Sequence, residues 1–245
     1  MDLRPDETWP AVLDEVTGAL ESLTATLDTE DDFAVLLRRT CEQAIHAVPG
    51  VDEATITLLR GHHPATVAST SDVVTRLDHD QYKAGDGPCI HAAGTGTVVR
   101  VSVADAAERW PLFAHGADKA GFGSFLSAPL VVGEGQAAAV NCYSSHGHGF
   151  AELDEKLLDL YTSAVTALLR VYARYQHARD TAEQLRTALQ NRAVIDQAKG
   201  ILMVVHKIDA DEAFRRLVEQ SQRDNLKLRD VAIRFVIETT GADPA

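Results

Sequence analysis

The amino-acid sequence predicts an α+β protein in three parts: an N-terminal antiparallel sheet with flanking helices, a long coiled-coil helix, and a C-terminal all-α bundle of three helices. In the middle of the chain apolar residues recur with a period of two, whereas before and after it they recur every three or four residues. These changes of period predict a sheet with helices added at its ends. The later helical region also keeps heptad spacing, which is typical of a coiled-coil seam.

Composition limits the class of protein. The 245 residues, 45% hydrophobic and 24% charged, allow one or two folded cores without disulfides. Three cysteines that lie far apart, Cys41, Cys89 and Cys142, argue against a disulfide framework or a CxxC metal site. No apolar run reaches the roughly 18 residues that cross a bilayer, and the acidic N-terminus is unlike a signal peptide. We therefore expect a cytoplasmic protein with no membrane partner.

Charge is distributed unevenly along the chain. The formal net charge is −13, yet residues 179–240 carry 11 Lys and Arg against 10 Asp and Glu, while residues 1–178 carry 12 against 25. A nucleic acid would be repelled by the first part and tolerated only by the C-terminal part.

The first elements are two helices and a series of strands. Apolar spacing of three and four predicts two helices between Ala11 and Pro49, with a break at Asp28–Asp32. After Pro49 the period becomes two, and five segments bounded by Gly, Pro or His-rich turns predict five strands. These segments read ATITLL, ATVAST, TVVRVSV, SFLSAPLVV and AAAVNCYS.

A long helix begins near Phe150. Its apolar stripe starts with Leu153, Leu157, Leu160 and Ala164 and continues at steps of four and three. The helix has no second apolar face, so the stripe needs a partner, which is either a second copy of the chain or the protein's own N-terminal helices. Both can hold for different parts of the helix. The predicted dimerisation residues are Val171, Tyr175, Ala178, Ala182, Leu185 and Leu189.

Three short helices are predicted beyond Asn191. The second opens at Asp209 with Glu212 three residues on, as in a capping box, and the third starts after Asn225. Gly200 in the first suggests close helix packing. Each helix is too short to persist alone, so the three must pack together as a bundle of about fifty residues. Their apolar stripes include Val194, Ala198, Leu202 and Val205, then Ala213, Phe214 and Leu217, then Val231, Phe235 and Val236.

The segment Ala193–Ala232 carries a family resemblance. Its blocks AKGILM, ADEAFRRL and SQ…N…KLRDVA resemble, in order and spacing, the ANTAR domain, a family of transcription antitermination modules. The resemblance implies a three-helix bundle that binds RNA hairpins in nascent transcripts. Members usually act as dimers that recognise paired hairpins, and so prevent a terminator from forming.

The residues of the bundle indicate where RNA would bind. Cations recur one heptad apart on each helix, so each helix can show a positive edge. The turn between the last two helices adds further donors. Hairpin recognition needs phosphate neutralisation and polar groups that reach loop bases. The predicted RNA-binding residues are Arg192, Lys199, Arg216, Arg223, Asn225, Lys227 and Arg229.

Structural alternatives stand beside these assignments. Arg223 and Arg229 each precede an aspartate and could form ordinary surface ion pairs. Asn225 could be only a helix N-cap. Phe214 and Phe235 both fall on core stripes, so no aromatic residue is plainly placed to stack on an RNA base.

The N-terminal region, Asp31–Leu169, resembles the GAF domain, a small-molecule-sensing and dimerising fold with a central antiparallel sheet. AGDGPCIHAAGTGTVVRVSVAD is similar to the family's glycine-led helix followed by a strand ending in Asp105. GFGSFLSAPLVVGEGQAAAVNCYS is similar to its pair of late strands, with Pro129 between. The resemblance implies a small-molecule effector but does not identify it, since family members sense cyclic nucleotides, haem, bilins or other molecules and many have no known ligand.

Candidate anchoring groups are few. Cys89 and His91 could hold a chromophore or a metal, or be a buried thiol and a polar helix residue. His146 and His148 alternate like metal ligands but lack a carboxylate or cysteine nearby. The sequence shows no Gly-rich phosphate loop, serine nucleophile elbow or HExxH cluster. We expect no catalytic residue, no metal and no enzymatic activity.

These observations predict four regions: an N-terminal helix (1–30), a GAF-like sensor (31–169), a coiled-coil linker (170–191) and an ANTAR RNA-binding domain (192–240). The leading hypothesis is a homodimeric, signal-responsive antitermination regulator that binds RNA hairpins. The alternative is a GAF-containing regulator whose bundle binds a protein partner or DNA, although the net charge and the lack of an Arg-rich recognition helix oppose duplex binding.

Overall fold

A computed structural model describes residues 9–29, 32–61, 63–132, 136–147 and 149–241. The chain divides into two compact units, Met1–Arg174 and Tyr175–Ala245. One helix, α7 (Glu152–His206), contributes residues to both units. Of the helices in the described part of the chain, none combines the length and apolar character needed to span a membrane.

The first unit is built on a five-stranded antiparallel sheet. Its strands are β1 (Glu53–Arg60), β2 (His63–Ser69), β3 (Val99–Ser102), β4 (Ser124–Val132) and β5 (Gln136–Ser144). Their order across the sheet is β2-β1-β5-β4-β3, and each neighbouring pair is antiparallel. All five strands predicted from the period of two are confirmed, and so is the α+β class.

Six further helices of this unit cover the two faces of the sheet. They are α1 (Trp9–Thr29), α2 (Phe33–Ala47), α3 (Asp72–Ala84), α4 (Pro88–Thr95), α5 (Val103–Arg109) and α6 (Pro111–Lys119). The two predicted N-terminal helices are present, and α2 begins where the Asp32 carboxylate accepts a 2.9 Å hydrogen bond from the amide of Ala34. Residues 30 and 31 of the predicted break lie outside the described residues.

One face of the sheet holds the larger core. The even-numbered residues of β1 (Ala54, Ile56 and Leu58) pack with α1, α2 and the first turns of α7. From α7 the buried contacts come from residues such as Leu158, Tyr161 and Val165, whereas Leu160 of the predicted stripe is half exposed. The prediction of one unbroken stripe is therefore wrong at Leu160. A straight helix repeats every 3.6 residues, so its core-facing residues drift away from a strict heptad pattern.

The opposite face of the sheet packs against α3, α4, α5 and α6. Aromatic residues fill much of this second core, with ring centroids 5.2 Å apart for Phe113 and Phe125 and 5.0 Å apart for Phe125 and Tyr143. Both pairs meet edge to face, the arrangement that favours aromatic contacts. The helices therefore cover both faces of the sheet and are not confined to its ends.

Two details of the late strands refine the sequence prediction. The strand expected to end at Asp105 ends at Ser102 instead, because the Ser102 hydroxyl accepts the amide hydrogen of Asp105 at 3.0 Å and starts α5. Pro129 lies in β4 beyond the end of β3, which pairs only with Ser124–Ser127. On that side β4 has no neighbouring strand, so proline's missing amide hydrogen removes no ladder hydrogen bond.

The second unit is a bundle of the last turns of α7 with α8 (Ala210–Asp224) and α9 (Leu228–Thr240). Helix α8 begins where Asp209 accepts a 2.8 Å hydrogen bond from the amide of Glu212, as the capping pattern predicted. The first bundle helix is not a separate short helix. No glycine or proline interrupts the chain from Glu152 to Lys199, so α7 continues to His206.

Three residues of the bundle differ from expectation. The sequence predicts Val205 and Phe214 on the core stripes, but their exposed fractions are 58% and 45%. Gly200 is exposed, and a Cβ at this position would meet nothing within 4 Å, so it serves no close packing in the described structure. The core of the bundle instead centres on the buried residues Ala198, Leu202, Ala213, Leu217, Val231, Ala232 and Val236.

Candidate functional site

The turn between α8 and α9 gathers four of the predicted RNA-binding residues. Arg223 lies in the last turn of α8, and Lys227 caps the start of α9. Asn225 and Arg229 complete the set, which we call the cationic turn. The turn is held by Ser221, whose hydroxyl donates a 2.6 Å hydrogen bond to the carbonyl of Leu226 and whose carbonyl accepts the Leu226 amide at 3.1 Å. All four side chains of the cationic turn are exposed.

Asn225 caps the C-terminal end of one helix and not, as the sequence suggested, the N-terminal end of the next. It is the C-cap of α8, with φ 52° and ψ 40°, and not the N-cap of α9, a position that Lys227 occupies. Its backbone N–H donates to the carbonyls of Gln222 and Ser221. Asparagine tolerates this left-handed conformation better than most residues, which explains its place here and leaves its side chain free of a capping role.

The charges of the cationic turn are only partly neutralised. Arg223 and Lys227 have no ion-pair partner among the described residues, and Arg229 lies 4.0 Å from Asp230. Asp224, which the sequence offered as a partner for Arg223, instead lies 3.6 Å from Arg234. An exposed ion pair at such distances contributes little, so the turn keeps net positive charge.

The other three predicted cations lie along helices and have acidic partners. On α7, Arg192 and Lys199 share Asp196, at 3.6 Å and 2.7 Å. The hydrogen bond from Lys199 is the main cause of a lowered pKa of Asp196. On α8, Arg216 pairs with Glu212 at 2.9 Å. The structure therefore separates the predicted set into a turn whose charges are only partly neutralised and three cations that are already paired.

A groove lies between α8 and α9, with a volume of about 410 Å³. Apolar side chains, including Phe235, line it together with Arg216, Arg234 and acidic and amide side chains. We call this the α8–α9 groove. Sequence reasoning assigned Phe235 to the core and left Arg234 out of the RNA-binding set. The available signal was the spacing of Lys227, Val231, Arg234 and Glu238, which fall on one side of α9.

The predicted dimerisation residues of α7 are all exposed. The exposed fractions of the larger ones are 62% for Val171, 62% for Tyr175, 60% for Leu185 and 59% for Leu189. Ala178 and Ala182, which complete the heptad positions, are exposed as well. We call these six residues the α7 stripe. Nothing within the single chain covers this stripe in the described structure.

A buried polar network lies in the first unit, between the sheet and α3. Asp78 is fully buried and accepts hydrogen bonds from the Tyr143 hydroxyl at 2.6 Å and the Thr66 hydroxyl at 2.9 Å. The Tyr82 hydroxyl extends the network, at 2.8 Å from Thr66 and 2.9 Å from Thr57. Burial raises the pKa of Asp78 to about 6, although the hydrogen bonds act in the opposite direction.

The network continues across the sheet through Asn141. Its amide nitrogen donates to Thr55 at 2.9 Å and to Thr57 at 2.8 Å, and its carbonyl accepts from Ser127 at 2.7 Å. Sequence reasoning missed this network entirely. A detectable signal was the stripe of α3, in which Asp78 and Gln81 share a buried face with Val74 and Leu77.

Those candidate anchoring groups that the structure describes do not assemble into a metal site. Cys89 is fully buried, and burial raises the pKa of its thiol. His91 contacts Arg109, with 3.2 Å between Nδ1 and the guanidinium. His146 lies near Ser144, and His148 lies outside the described residues. Across the described residues, no three His, Cys, Asp or Glu side chains lie close enough together to hold a metal ion.

Comparison with solved structures supports the fold of the first unit. The free methionine-R-sulfoxide reductase from Neisseria meningitidis, in complex with its substrate, is 17% identical, with a TM-score of 0.50 over 71% of this chain and 98% of that one. The GAF domain of a phosphoenolpyruvate-protein phosphotransferase from Coxiella burnetii is 16% identical, with a TM-score of 0.45 over 69% and 98%. At these identities the likeness concerns the fold alone. No curated protein sequence matches the chain significantly.

Two protein families match the sequence. Residues 30–170 match the GAF domain, and residues 183–236 match the ANTAR domain. The first match covers more than half of the chain and contains the whole five-stranded sheet. The second contains the end of α7, all of α8 and most of α9. The chain therefore belongs to the GAF domain family and carries an ANTAR domain after its GAF domain.

Proposed function

We propose that this protein is a homodimeric, signal-responsive regulator that binds RNA hairpins in nascent transcripts and thereby prevents termination of transcription. The two families support a GAF-containing regulator with an RNA-binding antiterminator domain. Hairpin binding, dimerisation and response to a signal are the parts that we add. The proposal also places the protein in the cytoplasm.

The observation that carries the proposal is the cationic turn. Arg223, Lys227 and Arg229 stand within seven residues on the surface of an otherwise acidic protein, and two of them have no acidic partner among the described residues. Most contacts to nucleic acids go to phosphates, and cations without partners can neutralise them without breaking an existing ion pair. Asn225 adds an exposed amide that can bond to a loop base.

The α7 stripe supports dimerisation. Four large apolar side chains that are each about 60% exposed would leave an unusual apolar strip in water if the chain stayed alone. Their heptad spacing matches a two-stranded coiled coil, in which each chain covers the stripe of the other. A dimer would present two cationic turns, which suits a transcript with two hairpins.

We further propose that the GAF domain regulates and does not catalyse. Cys41, Cys89 and Cys142 are fully buried, and burial raises the pKa of each thiol, so none is poised as a thiolate nucleophile. A small-molecule effector could change RNA affinity only if it binds two arrangements of the protein unequally. The long helix α7, which contributes to both units, is the element through which we expect such coupling.

The test compares two triple variants of the full chain. One variant carries Arg223→Gln, Lys227→Gln and Arg229→Gln. The matched control removes three exposed cations of the first unit, with Arg38→Gln, Lys119→Gln and Arg170→Gln. The probe is the set of transcripts that crosslink to the wild-type protein in cells, remade as individual hairpins.

The proposal predicts that the turn variant loses at least about tenfold in hairpin affinity, while the control changes little. Circular dichroism verifies that both variants keep their helices. Equal affinities of the two variants, or crosslinked transcripts without hairpins, would refute the proposal.

An alternative is that the bundle binds a protein partner. Val204, with an exposed fraction of 79%, stands beside Val205, and Phe214 is nearly half exposed on α8. Exposed apolar residues of this kind are common at protein interfaces. Under this alternative Phe214→Ser abolishes partner capture and leaves hairpin affinity unchanged, whereas neutralising the cationic turn has no effect on capture.

A further inference from the structure

We propose that the α8–α9 groove receives one unpaired base of the RNA hairpin loop, and that it selects a base carrying an exocyclic amino group. The inference rests on the proposed function and adds the site at which sequence would be read. The cationic turn alone can neutralise phosphates, but phosphates are the same in every sequence. Selection among hairpins needs contacts to a base.

The size and the apolar lining of the groove suit an aromatic ring. Leu202, Leu217, Val231 and Phe235 are its apolar lining residues, and the volume is about 410 Å³. This volume lies in the range of roughly 300–1,000 Å³ that is usual for small-molecule sites. Loop bases are unstacked and can be splayed into such sites, where they stack on aromatic rings or guanidinium planes.

Two arginine side chains, each paired with a carboxylate, connect the groove to the cationic turn. Arg216 on α8 and Arg234 on α9 line the groove. Arg223 follows Arg216 by one heptad, and Lys227 precedes Arg234 by one heptad, so each pair lies on one side of its helix. A hairpin backbone bound at the turn would therefore continue along cations to the mouth of the groove, and a loop base could enter between them.

Acidic side chains also line the groove, which makes it less suited to a phosphate than the cationic turn is. Asp224 and Glu238 line it beside Gln220. Asp224 is held in place, because Gln220 donates a hydrogen bond to it at 2.9 Å and Arg234 lies 3.6 Å away. Glu238 has no hydrogen-bond or ion-pair partner among the described residues, so both of its oxygens can accept from a ligand. Two carboxylates repel an anion but accept hydrogen bonds from an amino group.

This acceptor set discriminates between bases. Adenine, guanine and cytosine each carry an exocyclic amino group that donates to a carboxylate, whereas uracil has none and presents two carbonyl oxygens beside its single ring N–H. Carbonyl oxygens next to Glu238 or Asp224 would be repelled. Arg216 and Arg234 can at the same time donate to ring nitrogens or carbonyls of the inserted base.

The test uses the full chain and a library of hairpins with a constant stem and a randomised loop. Wild type, Glu238→Ala and the control Glu219→Ala each select hairpins from the library. Glu219 is exposed on α8 and does not line the groove. Wild type and the control should enrich loops that share an amino-bearing base at one position. Glu238→Ala should still bind hairpins but lose selection at that position alone.

A base analogue makes the test specific to one group of atoms. In the selected hairpin, inosine replaces guanosine, or purine riboside replaces adenosine, which removes only the amino group. For wild type and Glu219→Ala this replacement should weaken binding about tenfold. For Glu238→Ala it should weaken binding less than about twofold, because the acceptor is already gone.

The outcomes separate the two proposals. If Glu238→Ala selects hairpins with the same base preference and the same analogue penalty as wild type, the groove is not the site that reads the base. The proposal that the bundle binds RNA would still stand. A wild-type chain that selects no hairpin at all overturns the proposed function and the groove with it. A general gain in affinity of Glu238→Ala for all hairpins would reflect the lost negative charge, and with the base preference unchanged it also counts against the groove.

Discussion

The hydroxyl of Tyr143 donates a 2.6 Å hydrogen bond to the carboxyl group of Asp78 inside the GAF domain, between the sheet and α3. Asp78 is fully buried, and its pKa rises from 3.8 to about 6 mainly because burial penalises the charged carboxylate. No basic side chain is paired with it among the described residues. The GAF domain therefore contains an acidic group whose ionisation opposes folding near neutral pH.

The first prediction concerns the pH dependence of stability. The native state binds the Asp78 proton more tightly than the unfolded state does, so proton binding by Asp78 stabilises the folded protein. This stabilisation is fully present below about pH 4 and is lost as the pH rises through about 6. The loss amounts to roughly 3 kcal/mol. In Asp78→Asn the group cannot ionise. The free energy of unfolding of this variant, relative to wild type, should therefore rise by a similar amount between about pH 4 and pH 7.

Urea unfolding of the full chain measures this difference. Tryptophan fluorescence reports on the first unit, because the buried Trp110 belongs to it and the sequence of the second unit contains no tryptophan. Asp118→Asn removes an exposed carboxylate of the same unit and should follow the pH dependence of wild type. A constant difference between Asp78→Asn and wild type across the pH range would show that Asp78 keeps an ordinary pKa.

The Asp78 network also shows what the sequence could and could not reveal. A period of two depends only on local alternation, and all five strands followed from it. Whether a carboxyl group on the apolar side of α3 turns inward depends on Tyr143 and Thr66, which come from distant strands. The stripe of α3 places Asp78 on the apolar side of the helix, but the sequence around Asp78 does not show which distant hydroxyl groups bind it.

The same limit applies in the ANTAR domain. The cationic turn followed from the sequence, because the spacing of its charges is local. Phe214 and Phe235 both suit a helical stripe, and only the packing of three helices decides that Phe214 is nearly half exposed while Phe235 lines a groove. Asn225 lies one residue after the end of α8 and three residues before the start of α9, so its capping preference did not reveal which of the two helices it caps.

The second prediction separates the structural role of Asn225 from a role in RNA binding. Its left-handed conformation suits glycine, so Asn225→Gly should keep the stability of the bundle within a few tenths of a kcal/mol. Asn225→Ala should cost about 1 kcal/mol, because a Cβ without a compensating polar group disfavours this conformation. Thermal unfolding followed by circular dichroism measures both. A glycine variant less stable than the alanine variant would contradict the C-cap assignment.

The glycine variant then isolates the amide side chain. If Asn225 contacts the RNA, Asn225→Gly should weaken hairpin binding while the fold is kept, by about fivefold for one lost hydrogen bond. Unchanged hairpin affinity would assign Asn225 to the turn alone.

The third prediction concerns salt. Each cation that neutralises a phosphate releases counterions, so Lys227→Gln should reduce the slope of log affinity against log salt by about 0.7 to 1. Lys119→Gln removes one exposed cation from the first unit and should leave the slope unchanged. Titrations of one hairpin at several salt concentrations give both slopes. An unchanged slope for Lys227→Gln would remove this residue from the phosphate contacts.

The fourth prediction concerns the α7 stripe. Leu185 and Leu189 lie one turn apart and are each about 60% exposed in the single chain, so a coiled-coil dimer would bury both from each chain. Placing two lysines there, with Leu185→Lys and Leu189→Lys, puts four charges in the seam of the dimer. The dissociation constant of the dimer should rise at least about a hundredfold. Sedimentation of the full chain at several concentrations measures this change.

The matched control for the stripe is Gln184→Lys with Thr187→Lys. These residues lie on the outer side of the same heptads, so they add the same charge without entering the seam. The control should remain a dimer and should bind a transcript with two hairpins like wild type. The stripe variant should keep its affinity for a single hairpin but lose the gain that two linked hairpins provide, because that gain requires two cationic turns in one complex. If the stripe variant sediments as a dimer, the chains associate through a surface other than the α7 stripe.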